Sequence, residues 1–244
     1  MKDFISVVLP AYNEQIRIPD TIERIGNFLK ENFAVSEIIV VDDGSTDNTA
    51  SVVTDIGRKF GNVRLIRYPK NAGKGHAIRE GVLSSCGNLL LISDADMSTP
   101  IEEVDGLIPF IHSGFDIVIG SRGLEESNIT VRQPWYRQNM GKIFNLLVRV
   151  LVIGGIKDTQ CGFKLFKGDV ARALFAKSRI SGFAFDVEIL ALAKKGGYTL
   201  KEVPVRWSNS PHSKVKLIGD PLKMFFELFK IRAYLLFGKY TRSR

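Results

Sequence analysis

Cysteine and histidine are scarce in this chain: its 244 residues contain two cysteines, Cys86 and Cys161, and three histidines. Two distant thiols close at most one bridge. That excludes a secreted disulfide framework and a CxxC metal site, and it implies a reducing compartment. Long apolar runs are also missing. No uncharged stretch reaches the ~18 residues that a spanning helix needs, and the longest attempt, Ile143 to Ile156, carries Arg149. Met1-Lys2-Asp3-Phe4 leads straight into apolar residues, leaving no room for a signal peptide. The expectation is a cytoplasmic protein, either soluble or held peripherally on the cytoplasmic face of a membrane. Neither a Walker loop (GxxxxGK[ST]) nor a GxGxxG fingerprint occurs, and there is no internal repeat or low-complexity tract.

What is present looks globular, with 45% apolar and 25% charged residues. The length suits one α/β domain with a short appendage, read as residues 1–220 and 221–244. Net charge is +8 and unevenly placed. Lys194 to Arg244 holds 12 Lys and Arg against 3 Asp and Glu, whereas the remainder holds 22 against 23. Such a basic tail attracts phosphates, whether of nucleotides, lipid head groups or nucleic acid.

Buried strands alternate with helical periodicity along the first half. Strands are expected at residues 4–10, 37–41, 63–68, 88–93 and 116–120. Helices are expected at 19–31, 46–60, 75–85 and 101–112. Alternation of this kind implies right-handed βαβ units and a mostly parallel sheet, whose ligands bind at the carboxyl ends of the strands. Further on, 132–153 reads as one long helix, 168–177 and 186–195 as shorter ones, and Val203 to Trp207 as a late strand.

Polar clusters fall at those carboxyl ends. Asp94-Ala95-Asp96 follows the fourth strand, and two carboxylates so spaced suit a hard cation, Mg²⁺ or Mn²⁺, that keeps positions open for phosphate oxygens. Asp42-Asp43-Gly44-Ser45 follows the second strand, where Asp43 can accept hydrogen bonds from a base or ribose edge while Ser45 to Thr49 cap a helix. Pro10-Ala11-Tyr12-Asn13-Glu14 follows the first, offering a ring to stack on a base and a carboxylate to accept from it. Asn71-Ala72-Gly73-Lys74-Gly75 opens a helix, and its amides and Lys74 suit phosphate.

These motifs, in this order and with Gly120-Ser121-Arg122, resemble glycosyltransferase family 2 and its GT-A fold. Asp158-Thr159-Gln160-Cys161-Gly162-Phe163-Lys164 and Glu202-Val203-Pro204-Val205-Arg206-Trp207 narrow the resemblance to the branch that glycosylates polyprenyl phosphates, most of all the dolichyl-phosphate β-glucosyltransferases. The resemblance implies inverting transfer of a hexose, glucose favoured, from a nucleotide-sugar donor, UDP-glucose favoured, to a lipid phosphate at a membrane face. Carried over by position, Pro10, Ala11, Tyr12, Glu14, Val41 and Asp43 would hold the nucleoside, and Asp94 and Asp96, flanking Ala95, the metal. Lys74, Arg122 and Lys214 would meet phosphate, with Asp96, Arg122 and Asp186 in catalytic roles. Ser98 and Ser208 stand where mannose synthases have Gln and Arg, and the QxxRW motif of processive synthases is incomplete, so mannosyl transfer from GDP-mannose and transfer to a polysaccharide alcohol are the alternatives.

An alcohol acceptor would need a general base, and Asp186 and Glu188 are the candidates; both also suit the start of a helix. A lipid phosphate is already anionic at neutral pH, so it needs cations instead: the metal, Arg122, Lys214 and Lys164. From Pro221 to Phe237, and again from Gln133 to Ile153, basic and aromatic residues form amphipathic patterns that suit either a membrane interface or the protein's own core. Two competing readings explain less. A sugar-1-phosphate nucleotidyltransferase wants a glycine-rich basic loop after the first strand, and a non-catalytic module binding membrane or nucleic acid through the tail leaves the clusters unexplained. No nucleic-acid partner is expected, and oligomeric state is open.

Overall fold

The structure, a computed structural model, describes residues 3–209 and 219–240. Its central sheet has seven strands in the order β3-β2-β1-β4-β7-β5-β8. These are β1 (Phe4–Ala11), β2 (Val35–Asp43), β3 (Val63–Tyr68), β4 (Leu89–Ile92), β5 (Ile117–Ser121), β7 (Lys164–Lys167) and β8 (Leu200–Pro204). All neighbours run parallel except β7, which is antiparallel to both β4 and β5. A separate parallel pair joins β6 (Asn128–Val131) to β9 (Arg206–Ser208).

The strands are apolar on both faces because helices cover both. Ile5, Val7 and Leu9 pack with α1 (Ile18–Asn32), α2 (Thr49–Phe60) and α4 (Val104–His112). Val8, Ile39 and Val41 face α3 (Lys74–Leu83) on the other side. That second layer also contains α6 (Gly168–Lys177), α7 (Phe185–Lys195) and part of α8 (Gly219–Leu236). In α1, Ile18, Ile22, Ile25 and Leu29 form one buried stripe at helical spacing. Proline at its first turn fits the N-terminal preference of that residue.

The expected elements are present, with five differences. β6, a four-residue strand, was not anticipated. β7 was not anticipated either: at four residues, Lys-Leu-Phe-Lys, it is too short for alternation to mark it out. Val203 to Trp207 is not one strand, because the chain leaves the large sheet after Pro204 and joins the small one at Arg206. The long helix, α5 (Trp135–Leu151), starts after Pro134, which is restricted to an extended conformation here. α2 starts at Thr49, because Asp47 turns back to accept the Thr49 amide at 3.0 Å.

α8 is not a free appendage. Leu228 and Ile231, with Tyr240 beyond the helix end, enter the core shared with α6 and α7, and Met224 is buried as well. Its opposite side exposes Leu222, Phe226, Phe229 and Leu236. α5 lies against α8. Only Val148 of α5 is buried, and Trp135, Ile143, Leu146 and Val150 are exposed.

Because β7 fills the centre of the sheet, its core side chains should carry much of the stability. Phe166 is fully buried, with its ring edge-on to Phe175 at 6.2 Å. Phe166→Ala is expected to cost about 3–5 kcal/mol, measured by urea unfolding. A cost below about 1 kcal/mol would contradict a central position for β7.

Candidate active site

The parallel strands β1, β2, β4 and β5 direct their carboxyl ends to one rim, and antiparallel β7 directs its amino end there. The register shows this directly: Lys164, the first residue of β7, pairs with Ile92 on β4 and Ile119 on β5.

At one side of the rim, the loops after β1 and β2 are joined by hydrogen bonds. The Asn13 amide donates to Ser45 Oγ, the Thr46 amide to Asn13 Oδ1 and the Glu14 amide to Thr49 Oγ1, each at 2.8 Å. Asn13 adopts a left-handed φ of 55°. The exposed Tyr12 ring borders the cleft. Glu14 is buried, and Arg17 grips both its oxygens at 2.7 and 2.6 Å. Asp43 is buried too, and its oxygens accept the Ala72 and Gly73 amides at 2.8 Å each. The Gly75 and His76 amides both donate to Ser181 O. This corrects the phosphate loop expected at Asn71 to Gly75: those amides hold the loop to the protein, and only Lys74 reaches out. Gly73 is required here, since its φ is +107° and a Cβ would lie 2.3 Å from Ser181 O. The Val41 side chain is a second correction, because it packs into the core beneath α3. Pro10 and the buried Ala11 close β1 at the cleft floor.

Asp94 and Asp96 sit just beyond β4. Lys74 Nζ donates to Asp94 Oδ1 at 2.6 Å, and the two side chains keep 24% and 31% of their surfaces open to the cleft. Burial raises the Asp94 carboxyl, but Lys74, then Lys164 and Arg122, outweigh it and hold its pKa below the ordinary value. Burial likewise opposes the Lys74 charge, yet Asp94 and Asp186 prevail and raise its pKa. Asp96 Oδ1 accepts the Ser98 amide at 3.0 Å. Met97, next to it, has a left-handed φ of 47°. Asn13 and Met97 are the only non-glycine residues with positive φ among those described, and both lie in these rim loops. Such strain collects at functional sites. Buried Ala95 is fixed through its carbonyl, which accepts from Thr21 Oγ1 at 2.7 Å. No group of three His, Cys, Asp or Glu residues among those described could enclose a metal. Two hard carboxylates without a third fit a divalent cation that takes its remaining ligands from diphosphate and water.

Arg122, just beyond β5, is clamped rather than free. Its Nε and Nη2 donate to the Asp158 carboxylate at 2.7 and 2.9 Å, and its guanidinium lies 5.4 Å from the Trp207 ring centre. Glu202 on β8 holds this clamp from behind by accepting the Lys157 and Asp158 amides at 2.8 and 3.0 Å and Ser121 Oγ at 2.9 Å. The sequence gives Asp158 and Glu202 no role in positioning Arg122. Burial would raise the Asp158 carboxyl, but the Arg122 charge overrides it and brings the pKa to about 2.

Behind Lys74, buried Lys164 donates to Asp186 Oδ1 at 2.5 Å and also to Cys161 O. Burial pushes the Asp186 carboxyl up against the pull of Lys164 and Lys74. Gly162 is the point of closest approach to the metal site, since a Cβ there would fall 2.0 Å from Asp94 Oδ2. Glu188 lies elsewhere. It is fully buried and accepts the Arg179 and Ile180 amides and the Tyr240 hydroxyl. Its role is therefore structural, which removes it as a candidate base. Lys214 lies outside the described residues.

The glycosyl transferase family 2 profile matches residues 6–175. The chain belongs to this family. It is 38% identical to a dolichyl-phosphate beta-glucosyltransferase of Dictyostelium discoideum, covering 96% of this chain and 76% of that one. The Saccharomyces cerevisiae and Homo sapiens proteins of the same description are 36% and 35% identical, over 99% and 96% of this chain and 78% and 76% of theirs. Among solved structures, glucosyl-3-phosphoglycerate synthase from Mycobacterium tuberculosis, in complex with Mn²⁺, UDP-glucose and phosphoglyceric acid, aligns with a TM-score of 0.68 at 20% identity. That alignment covers 99% of this chain and 81% of the other. Mannosyl-3-phosphoglycerate synthase from Rubrobacter xylanophilus aligns with a TM-score of 0.70 at 20% identity, covering 99% and 76%. At that identity the likeness establishes the GT-A fold. The chain is thus a family 2 glycosyltransferase.

The clamp predicts a pH dependence of stability. Asp158 has a folded pKa of about 2 against an ordinary 3.8. A depressed carboxylate stabilises the fold above the unfolded pKa and loses that contribution as pH falls through the folded one. Urea unfolding of wild type against Asp158→Asn is expected to show a difference whose pH-dependent part is about 2 kcal/mol near neutral pH and shrinks between about pH 4 and 2. A difference constant down to about pH 3 would show that the ion pair is not formed.

Proposed function

We propose that this enzyme transfers glucose, with inversion, from UDP-glucose to a dolichyl or related polyprenyl phosphate at a membrane surface. One observation carries the reading: Lys74 donates to Asp94 at 2.6 Å where Asp94 and Asp96 stand beyond β4, and Arg122 lies just beyond β5 on the same rim. Lys74, Lys164 and Arg122 are each matched by a carboxylate, and a divalent cation on Asp94 and Asp96 would tip this balanced cluster toward two phosphates that must meet. The descriptions of the relatives point to the same donor sugar and acceptor.

In this reading Tyr12 stacks on the base of the donor, and Glu14 and Asp43 line its nucleoside pocket. Both carboxylates already hold protein partners, so each would offer its remaining lone pairs. Asp94 and Asp96 would hold Mg²⁺ or Mn²⁺, which would neutralise charge on the departing diphosphate. Lys74 donates to Asp94 and is within reach of the same phosphates. Arg122, held in orientation by Asp158 and Trp207, presents its outer N–H groups to a phosphate, and Lys214 joins it. The acceptor phosphate attacks the anomeric carbon as an oxyanion, so no side chain has to remove a proton. Asp186 then serves to hold Lys164 in place. For the membrane, the exposed apolar faces of α5 and α8 rest in the interface with their basic residues toward head groups. No helix among the described residues is long and apolar enough to cross a membrane, so attachment by these residues is peripheral.

The test is transfer of labelled sugar to a short polyprenyl phosphate with Mg²⁺ or Mn²⁺. Labelled lipid from UDP-glucose is expected, and Asp96→Ala should reduce kcat/KM by at least about a hundredfold. Label from GDP-mannose alone would overturn the donor assignment. Full activity of Asp96→Ala would overturn the metal site.

A further inference from the structure

At the far end of α7 from the donor rim lies an open surface hollow of about 290 Å³. Asp186 begins α7 at the rim, and Lys194 and Lys195 end it about 14 Å away along the helix. Ile153, Leu235 and Leu236 supply apolar walls, and Lys194, Lys195 and Arg232 supply charge. This pocket sits where the end of α5 meets α7 and α8, and it is continuous with the exposed face of α8 through Leu236, which is 65% exposed.

Helix capping explains part of this arrangement. Lys194 Nζ donates to Gly154 O at 3.0 Å and Lys195 Nζ to Leu235 O at 2.8 Å, and cations are favoured at a helix C-terminus. It does not explain three cations gathered around an apolar hollow. Each ammonium has three N–H groups and spends one on its carbonyl, so donors remain for an anion. An apolar wall beside a triple cation selects an amphiphile with an anionic head. A free inorganic anion would gain nothing from the apolar part.

We propose that this pocket seats the head group of an anionic membrane phospholipid, with the phosphate on Lys194, Lys195 and Arg232 and the glycerol and first acyl carbons against Ile153, Leu235 and Leu236. The site rests on the reading that α5 and α8 lie on a membrane. It would fix the enzyme's rotation on the surface, so that the donor rim, on the opposite end of α7, keeps one orientation toward the acceptor.

Soluble dihexanoyl phosphatidylglycerol, used below its micelle concentration, separates the pocket from the membrane. Calorimetric titration of the whole chain is expected to show binding at least about tenfold tighter than for dihexanoyl phosphatidylcholine or inorganic phosphate. The triple variant Lys194→Gln, Lys195→Gln, Arg232→Gln should lose that preference. Arg232→Gln alone, which spares both capping lysines, should weaken phosphatidylglycerol binding about fivefold. Equal affinity for inorganic phosphate would overturn the lipid assignment, and equal affinity for phosphatidylcholine would overturn charge recognition. Vesicle flotation tests the underlying reading separately. Phe226→Ser with Phe229→Ser should release the protein from phosphatidylcholine vesicles yet leave the soluble phosphatidylglycerol titration unchanged. Loss of the titration in that variant would show that the short lipid binds the exposed face and not the pocket. If wild type failed to bind any vesicle while the titration held, the membrane reading would fall and the pocket would stand.

Discussion

The ion pair between Lys74 and Asp94 ties the first turn of α3 to the end of β4, and the rest of the rim is arranged around it. Asp94 is held ionised by this partner with help from Lys164 and Arg122. Those helpers have fixed positions because they carry their own counter-charges, Asp186 for Lys164 and Asp158 for Arg122. Each of these cations is therefore paired, and in the buried Lys164–Asp186 pair removing one partner would leave an isolated charge costing several kcal/mol. The network is interlocked: a change at one pair alters the field at the others.

Much of this was legible in the sequence, and the illegible parts have a common cause. Asp94 and Asp96 stand out because an apolar strand stops at them, and Arg122 because it ends another. Lys164 stands in a strand of only four residues, placed between β4 and β5 by pairing that spans more than forty positions on one side and seventy on the other. Local periodicity cannot report such pairing. The same holds for Asp158 and Glu202, whose roles arise only when β8 lies beside β5. The glycine loop misled for a different reason. Its composition announces exposed amides, but their partners, Asp43 and Ser181, are distant in sequence.

Two features of the fold point away from the chemistry and toward where it takes place. The helices α5 and α8 each bury one side and leave the other apolar and exposed, which is unusual for a face with no partner. Part of the basic charge that sets the tail apart in the sequence, Lys194, Lys195 and Arg232, borders the pocket at the edge of this face. A rim that gathers cations and a flank that suits a lipid surface are both accounted for by one class of acceptor, an anionic head on an apolar chain.

The central claim is that this rim supplies cations for an acceptor that is already ionised, and supplies no base. The most direct test compares a polyprenyl phosphate with the polyprenol of the same chain length as acceptors, under identical donor and metal conditions. The account predicts turnover of the phosphate and glucosylation of the alcohol slower by at least about a thousandfold, since an alcohol would need a general base and Asp186 is engaged by Lys164. Comparable rates for the two acceptors would contradict it and would make Asp186 a base.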